Sequence, residues 1–324
     1  MTPLIARRLV QLPIILAVIF IVTFSLAWVV PGNPLERPEG QRPPIEVQEA
    51  MARQYNLDSP WRFMKGYLAG VLLHGDLGPS LYYRDMRVGE IIGAALPVSA
   101  ALGVGAMLFG LVLGLGAGAI GALRPGTALD LSSMLVALVG VSLPAFVTGA
   151  VLLAVFCGLL RWFPMQMWEW PGTAVWTGQW WADSGQMLYR MVLPAVTLGL
   201  APAAYIARLV RMGLADVMNS DYVRTARAKG LPEYRVVLGH AMKVAFLPVL
   251  SFLGPAAAAV MTGSFVVEKV FAIPGLGEHF VRAVQNKDQF LILGLVLVYS
   301  TILVLFNLLV DVAYAWVDPR IELA

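Results

Sequence analysis

The feature that most constrains this chain is a set of six long stretches without any Asp, Glu, Lys or Arg. They lie between Arg8 and Glu36, Glu90 and Arg124, Asp130 and Arg161, Arg190 and Arg208, Lys243 and Glu268, and Asp288 and Asp311. A helix that crosses a bilayer needs roughly 20 mostly apolar residues. The fourth stretch has only 17 residues and must borrow neighbours near its two arginines, whose long side chains can reach the headgroups. The pattern predicts an all-α integral membrane protein with six transmembrane helices.

The composition excludes most other classes of protein. The chain is 59% hydrophobic and 13% charged, whereas soluble domains average about 45–50% and about 25%. Its single cysteine, Cys157, cannot form an intrachain disulfide, and its three histidines are too scattered for a metal cluster. No nucleophile and base are arranged as in an enzyme. We therefore expect no catalytic, cofactor-binding or metal-binding residues in this chain.

The positions of the basic residues predict the orientation in the membrane. The first apolar stretch follows Arg7 and Arg8, as in a secretory signal, but it exceeds the signal's apolar region of about 7–15 residues. We therefore interpret it as an uncleaved helix. With both termini in the cytoplasm, the inner segments hold 11 basic residues in 64 positions, against 12 in 119 for the outer segments. Because Lys and Arg concentrate on the cytoplasmic side, this orientation is favoured.

Two connecting regions are expected on the outer side. Residues 31–94 begin with a Pro-rich stretch and then contain helical patterns around 47–55 and 61–73. This region is too small for an independent enzyme domain, and we interpret it as a packed cap. Residues 161–187 contain six of the nine tryptophans. An interfacial aromatic belt is the favoured explanation, and an aromatic platform for an apolar ligand is the alternative.

The third connecting region, residues 211–243, is expected in the cytoplasm. Asp221 is placed to cap a short helix that Gly230 can end, and another helix is expected from Glu233 into the fifth span. Small Ala226 and Ala228 lie beside charged residues and give a compact surface that can insert between partner side chains. A loop that only sets the topology is an equally open alternative.

Patterns within the spans bear on packing and on the source of energy. Gly110, Gly114 and Gly118 recur every four residues, which predicts a close packing surface within this subunit or against another. The sequence has no G-x-x-x-x-G-K-[ST] phosphate cradle, and no charge lies centrally in a span. A transporter built on this chain would therefore take its energy from another polypeptide.

Several short motifs occur in the order and spacing of one known family. They lie at residues 5–9, 31–34, 55–60, 75–80, 96–99, 221–230, 240–242, 268–271, 274–277 and 317–320. Over nearly its whole length the sequence resembles the permease subunits of bacterial ABC importers for dipeptides and oligopeptides. ABC importers in general have Glu-Ala-Ala before a Gly, whereas Arg224, Thr225 and Ala226 stand there before Gly230. We interpret this departure as a mark of the peptide branch.

The resemblance implies a type I ABC importer permease fold and a pore that moves di- or oligopeptides across the bacterial inner membrane by alternating access. It implies a second homologous permease subunit, two ABC ATPase subunits that use ATP and magnesium, and a periplasmic or lipid-anchored substrate-binding protein. Membrane lipid is expected around the chain, and nucleic acid is not. The alternatives are import of nickel complexes, glutathione or other peptide-like solutes, or, in a different class, a self-sufficient channel or carrier.

The resemblance also implies a division of the chain and two sets of site residues. We expect residues 1–30 to form the N-terminus and first transmembrane helix, 31–94 a periplasmic subdomain, 95–315 the permease core and 316–324 a cytoplasmic tail. Residues that couple to the ATPases are implied at Asp221, Tyr222, Arg224, Thr225, Ala226, Lys229 and Gly230. A periplasmic gate or binding-protein dock is implied at Glu268, Phe271, Pro274, Gly275 and Gly277.

Overall fold

Helices are the regular elements of the part of the chain that the structure describes. The computed structural model describes residues 2–30, 35, 44–83, 85–165 and 180–317, and strand pairing in these ranges is limited to one bridge between Pro79 and Arg87. The α-helices are α1 (Thr2–Val29), α2 (Ile45–Gln54), α3 (Pro60–Ala69), α4 (Val88–Leu123), α5 (Ala128–Ser142), α6 (Ala145–Leu152), α7 (Trp180–Val217), α8 (Asp221–Ala228), α9 (Glu233–Val236), α10 (Met242–Ala245), α11 (Leu247–Met261), α12 (Phe265–Val270), α13 (Leu276–Gln285) and α14 (Gln289–Val317). Three π-helical segments continue α3, α6 and α9: Gly70–His74, Leu153–Leu159 and Val237–Ala241.

Parts of the sequence interpretation lie outside the described residues. These are the Pro-rich start of the first connecting region, most of the tryptophan-rich region and the tail from residue 318. The two helical patterns predicted around 47–55 and 61–73 are confirmed as α2 and as α3 with its π-helical continuation.

Each of the six charge-free stretches contains helix within its described residues. Four helices are long and apolar enough to cross a bilayer, Val10–Val29, Val88–Leu123, Leu188–Val217 and Gln289–Tyr314. Two further stretches qualify only as bent pairs, Ala128–Ser142 with Ala145–Leu159 at 108°, and Glu233–Ala245 with Leu247–Met261 at 58°. By length and composition, the described residues therefore hold four spans, or up to six if each bent pair is one span. The predicted all-α membrane architecture is confirmed.

Prolines begin the second helix of each bent pair but do not interrupt α7. Pro144 precedes α6 and Pro248 lies in the first turn of α11, so both bent pairs have a proline where the second helix begins. Proline lacks an N–H and is well suited to a helix start. The shortest charge-free stretch belongs to α7, which is 38 residues long and continues through Pro194 and Pro202. As predicted, this span borrows residues beyond its flanking arginines.

The chain divides into two compact units, and the first comprises Ala100–Ile273 with Leu305–Ala324. In this unit α4 and α7 approach closely at glycines. A Cβ atom on Gly114 would lie 2.7 Å from the carbonyl oxygen of Ala203, and one on Gly118 would lie 2.6 Å from that of Ala207. The glycine stripe is thereby confirmed as a packing surface, and its partner is a helix of the same chain.

The second unit comprises Thr2–Ser99 with Pro274–Val304. Its core contains a cluster of aromatic rings contributed by α1, α3 and α14, in which the ring centroids of Phe63 and Phe290 are 4.9 Å apart. Phe20 and Tyr67 stack at 5.7 Å in the same cluster. The first connecting region therefore packs against the start of the last long helix, as the interpretation of a packed cap requires.

A buried carboxylate joins the same parts of this second unit. Asp288 immediately precedes α14 and accepts hydrogen bonds from the backbone N–H groups of Leu81 (2.9 Å), Tyr82 (3.1 Å) and Leu291 (3.1 Å). The Ser80 hydroxyl donates to it as well. Asp288 thus caps α14 and binds residues 80–82, in the segment between α3 and α4. In the sequence, Asp288 was recognisable only as a charge at the edge of a span.

Candidate coupling surface

Helix α8 is the central element of the predicted coupling region. Ser220, not Asp221, holds its N-cap position, because the Ser220 backbone is extended (φ −74°, ψ 155°) and helical geometry begins at the next residue. The Ser220 hydroxyl donates to the carbonyl of Val217 (2.6 Å) and closes the turn after α7. The predicted N-cap is therefore wrong by one residue. Gly230 follows the helix as predicted, with a φ of +76° that favours glycine.

One face of α8 is buried in the chain's own interior. Val223 and Ala226, the latter 4% exposed, pack with Leu214 near the end of α7. Their cluster, which we call the coupling core, also contains Val236, Val237, Ala241 and Ala245. The expectation that Ala226 inserts between partner side chains is wrong, because this residue holds α8 against its neighbours.

The opposite face of α8 is exposed and polar. It carries four of the other predicted coupling residues, Asp221, Tyr222, Arg224 and Thr225, and the remaining two, Lys229 and Gly230, are exposed directly after the helix. Asp221 lies in the first turn, where a negative charge is favourable to the helix dipole. Arg224 and Lys229 add two exposed cations, and Tyr222 is 44% exposed. The helix thus combines an anchored apolar face with an accessible polar one.

An ion pair links α8 to α9. Arg227 donates from Nη2 to Glu233 Oε1 (2.6 Å) and from Nε to Oε2 (3.1 Å), across the turn that contains Gly230. Hydrogen bonding to the Glu233 carboxylate raises the pKa of Arg227. Both side chains are exposed, so screening by water and salt limits the stabilisation.

The second predicted site is mostly buried. Glu268 in α12 and the adjoining Phe271 are buried in the first unit, where the Ser264 hydroxyl accepts a hydrogen bond at the start of α12. Pro274, Gly275 and Gly277 fall in the second unit, and of these only Pro274 is exposed. Because four of the five residues are buried, they do not form an accessible docking surface within this chain.

Gly275 lies at the buried start of α13. Gly275 is the N-cap of α13, and the N–H of the next residue, Leu276, donates to the Ser99 hydroxyl (2.8 Å) at a fully buried contact. The rigid turn predicted at 274–277 is therefore the start of a helix attached to α4. It holds two helices together rather than projecting from the surface.

Comparison with known proteins identifies the family. Residues 110–323 match the family described as the binding-protein-dependent transport system inner membrane component. The chain belongs to this family. It is 38% identical over 325 residues to the oligopeptide transport system permease protein OppB of Escherichia coli (strain K12), covering 99% of this chain and 100% of the relative.

Two further relatives agree. The dipeptide transport system permease protein DppB of Bacillus subtilis (strain 168) is 37% identical over 306 residues, covering 94% of this chain and 93% of the relative. The DppB protein of Lactococcus lactis subsp. cremoris is 35% identical over 324 residues and covers 100% of both. Together with its apolar helices, the family assigns this chain as a multi-pass inner membrane protein.

The region that matches the family model contains α8 and the coupling core. The buried face of α8 and its ion pair with α9 were not predicted from the sequence. A usable signal existed for the buried face, because Val223 and Ala226 are three residues apart on an otherwise polar helix. Arg227 and Glu233 were also missed, although opposite charges on the two sides of a Gly-Leu-Pro turn are a recognisable pattern. The packing of Leu214 against this helix had no signal in the sequence.

Proposed function

We propose that this chain is a pore-forming subunit of an ATP-driven importer that moves di- or oligopeptides across the bacterial inner membrane. The observation that carries the proposal is the similarity over the full length to curated oligopeptide and dipeptide permeases. In the proposed arrangement the chain crosses the bilayer six times, so that each bent helix pair is one span, and both termini lie in the cytoplasm. The higher density of basic residues in the inner segments supports this orientation.

We propose that ATP hydrolysis takes place on other subunits. The complete importer would contain a second homologous permease, two ABC ATPases that use ATP and magnesium, and a periplasmic or lipid-anchored binding protein. The exposed face of α8 would dock into an ATPase groove through Tyr222, Arg224 and Lys229. Because Val223 and Ala226 anchor α8 in the coupling core, a displacement of this helix would pass to α7 and to the bent pair that ends in α11.

Alternating access is the proposed mechanism of transport. The movement of α8 would switch the pore between inward-open and outward-open states. Residues 268–277 would act as a periplasmic gate rather than as a dock, since most of the five residues implied in this region are buried. The charge-free middles of the spans support a path driven by ATPase movement instead of ion coupling.

The test is transport by the reconstituted complex. The chain would be expressed with its partner subunits, placed in proteoliposomes and supplied with binding protein, ATP and a labelled dipeptide or pentapeptide. We expect peptide uptake that requires both ATP and binding protein. Uptake of a nickel complex or glutathione, but not of peptides, would instead favour the related importer substrates. Flux through the purified chain alone, without ATP, would indicate a channel or carrier and contradict the proposal.

A further inference from the structure

An ion pair outside the predicted sites connects three helices of the first unit. Asp130 Oδ1 accepts from Arg211 Nε at 2.6 Å, and Asp130 Oδ2 accepts from Arg211 Nη2 at 2.9 Å. The Asp130 side chain is 8% exposed and that of Arg211 is 32% exposed. Two parallel hydrogen bonds between a guanidinium and a carboxylate fix orientation as well as distance, which a lysine cannot reproduce. The pair therefore holds α5 and α7 in a defined relation.

The surroundings of the pair extend the connection to α4. The N–H of Gly126, in the turn between α4 and α5, donates to Asp130 Oδ2 (3.0 Å). Near the end of α4, a Cβ atom on Gly121 would lie 3.1 Å from Arg211 Cδ, from Asp130 Oδ1 and from Ser133 Oγ. The glycine therefore leaves the space that the pair occupies. One carboxylate thus joins the α4–α5 hairpin to α7.

The same part of α7 carries the coupling helix. Leu214 lies three residues after Arg211, about one helical turn, and is fully buried in the coupling core with Val223 and Ala226. Ala119 and Ala122 of α4 are partly buried against the same core. The ion pair and the coupling core are therefore adjacent attachments between α7 and the α4–α5 hairpin.

We propose that Asp130 and Arg211 are positioning residues that transmit the movement of α8 to the α4–α5 hairpin. This inference rests on the proposed function. With the pair intact, a displacement of α8 moves α7, α4 and α5 as one block. Without the pair, the coupling core still moves α7, but the hairpin no longer follows it fully, and part of the movement is lost before it reaches the pore.

The experiment measures peptide uptake and ATP hydrolysis in the same proteoliposomes. The complete complex would carry Asp130→Asn, Arg211→Gln or Arg211→Lys. We expect ATP hydrolysis to continue while the peptide taken up per ATP falls about tenfold, within the range typical of coupling between sites. Arg211→Lys keeps the charge but not the paired hydrogen bonds, so its loss should be smaller. The double variant of Asp130→Asn and Arg211→Gln should be no worse than the more impaired single variant.

A matched control and three outcomes decide the inference. Arg208 is exposed and lies three residues earlier on α7, so Arg208→Gln removes the same charge and should leave the uptake-to-hydrolysis ratio unchanged. An unchanged ratio in the Asp130 and Arg211 variants would overturn the inference. Failure of all of them, including Arg211→Lys, to assemble with the ATPases would also overturn it, because the pair would then serve assembly alone. A wild-type complex without ATP-dependent peptide uptake would instead reject the proposed function, and the inference with it.

Discussion

The two compact units of this chain are packed with opposite kinds of side chain. In the unit of Ala100–Ile273, glycines let the backbones of α4 and α7 pack closely, with no side chain of the glycine positions between them. In the unit of Thr2–Ser99, aromatic rings from α1, α3 and α14 fill the space between the helices. Close backbone contact favours helix association in lipid, whereas large rings stabilise by burying area. The glycine contacts of the first unit should therefore be sensitive to added volume, and the aromatic cluster of the second unit to removed volume.

The largest effect is expected from removing a ring. Phe63 is 1% exposed and lies within ring contact of Phe24, Trp28, Tyr67 and Phe290. Phe63→Ala should lower the free energy of unfolding by about 3–5 kcal/mol, because the cavity cannot close fully. Thermal unfolding of the purified protein in detergent measures this loss.

Trp61 provides the control for the ring deletion. It lies on the same helix, α3, but is 59% exposed. Trp61→Ala should therefore change the unfolding temperature far less than Phe63→Ala. Equal losses in the two variants would show that the aromatic cluster is not what stabilises this unit.

The next effect comes from adding one methyl group to the first unit. A Cβ atom on Gly118 would lie 2.6 Å from the Ala207 carbonyl oxygen and 2.7 Å from Val210 Cβ. Gly118→Ala should cost about 1–3 kcal/mol, because α4 and α7 must separate. On the same helix, a Cβ atom on Gly116 would meet nothing within 4 Å, so Gly116→Ala should be neutral or slightly stabilising. Thermal unfolding of the two variants compares them, and equal destabilisation would contradict the close approach.

A smaller effect is expected where a glycine supplies conformation instead of space. Gly230 has a φ of +76°, and a Cβ atom there would meet nothing within 4 Å. Gly230→Val should cost about 1–2 kcal/mol locally, since other residues disfavour this backbone region. It should abolish peptide uptake while the amount of protein in the membrane stays unchanged.

Asparagine separates backbone strain from side-chain volume at this position, because it tolerates left-handed geometry. Gly230→Asn should therefore retain most of the uptake. Equal loss in the Val and Asn variants would indicate that the size of the side chain at the partner surface decides coupling. Immunodetection of the membrane fraction and labelled-peptide uptake distinguish these cases.

Helix positions could be predicted because lipid imposes a length and a lack of charge on each span. The helical extension of the fourth span beyond Arg190 and Arg208 followed from the same argument. The bends could not be predicted in this way. Pro144 and Pro248 lie in apolar stretches, as Pro194 does, yet Pro144 and Pro248 stand where a new helix begins and Pro194 lies inside a helix. Packing decides between these outcomes. The Ser220 cap was missed because both Ser220 and Asp221 suit that position.

The charges at the ends of the spans show where prediction from sequence stops. Asp130 and Asp288 each border a charge-free stretch, and a charge in that position is ordinarily interfacial. Folding instead buries one against Arg211 and the other among backbone N–H groups. Arg211 lies 81 residues from Asp130, and Leu81 and Tyr82 lie more than 200 residues from Asp288, so no local pattern reveals these contacts. The hydrogen bond from Leu291, three residues after Asp288, is local.

The smallest predicted effect is a pH dependence of stability, and it comes from the buried Asp288 in the second unit. Burial raises the pKa of Asp288, and hydrogen bonds from Ser80 and from the N–H groups of Tyr82, Leu291 and Leu81 lower it in part, leaving a net increase. Because the folded-state pKa exceeds the unfolded one, the folded state binds more protons between these two values. Asp288 therefore makes stability fall as the pH rises through that interval, opposite to a carboxylate in an ion pair.

Two variants test this contribution against the rest of the protein. Unfolding temperatures would be measured over the acidic pH range, and the difference between wild type and Asp288→Asn isolates the single carboxylate. As the pH rises from the ordinary aspartate pKa to the raised pKa of Asp288, the unfolding temperature of the wild type should fall relative to that of Asp288→Asn. Ser80→Ala removes a hydrogen bond that lowers the pKa, so it should extend the falling interval to higher pH. A difference that moves in favour of the wild type would mean that the hydrogen bonds outweigh burial. The capped start of α14 would then stabilise this unit most when its carboxylate is charged.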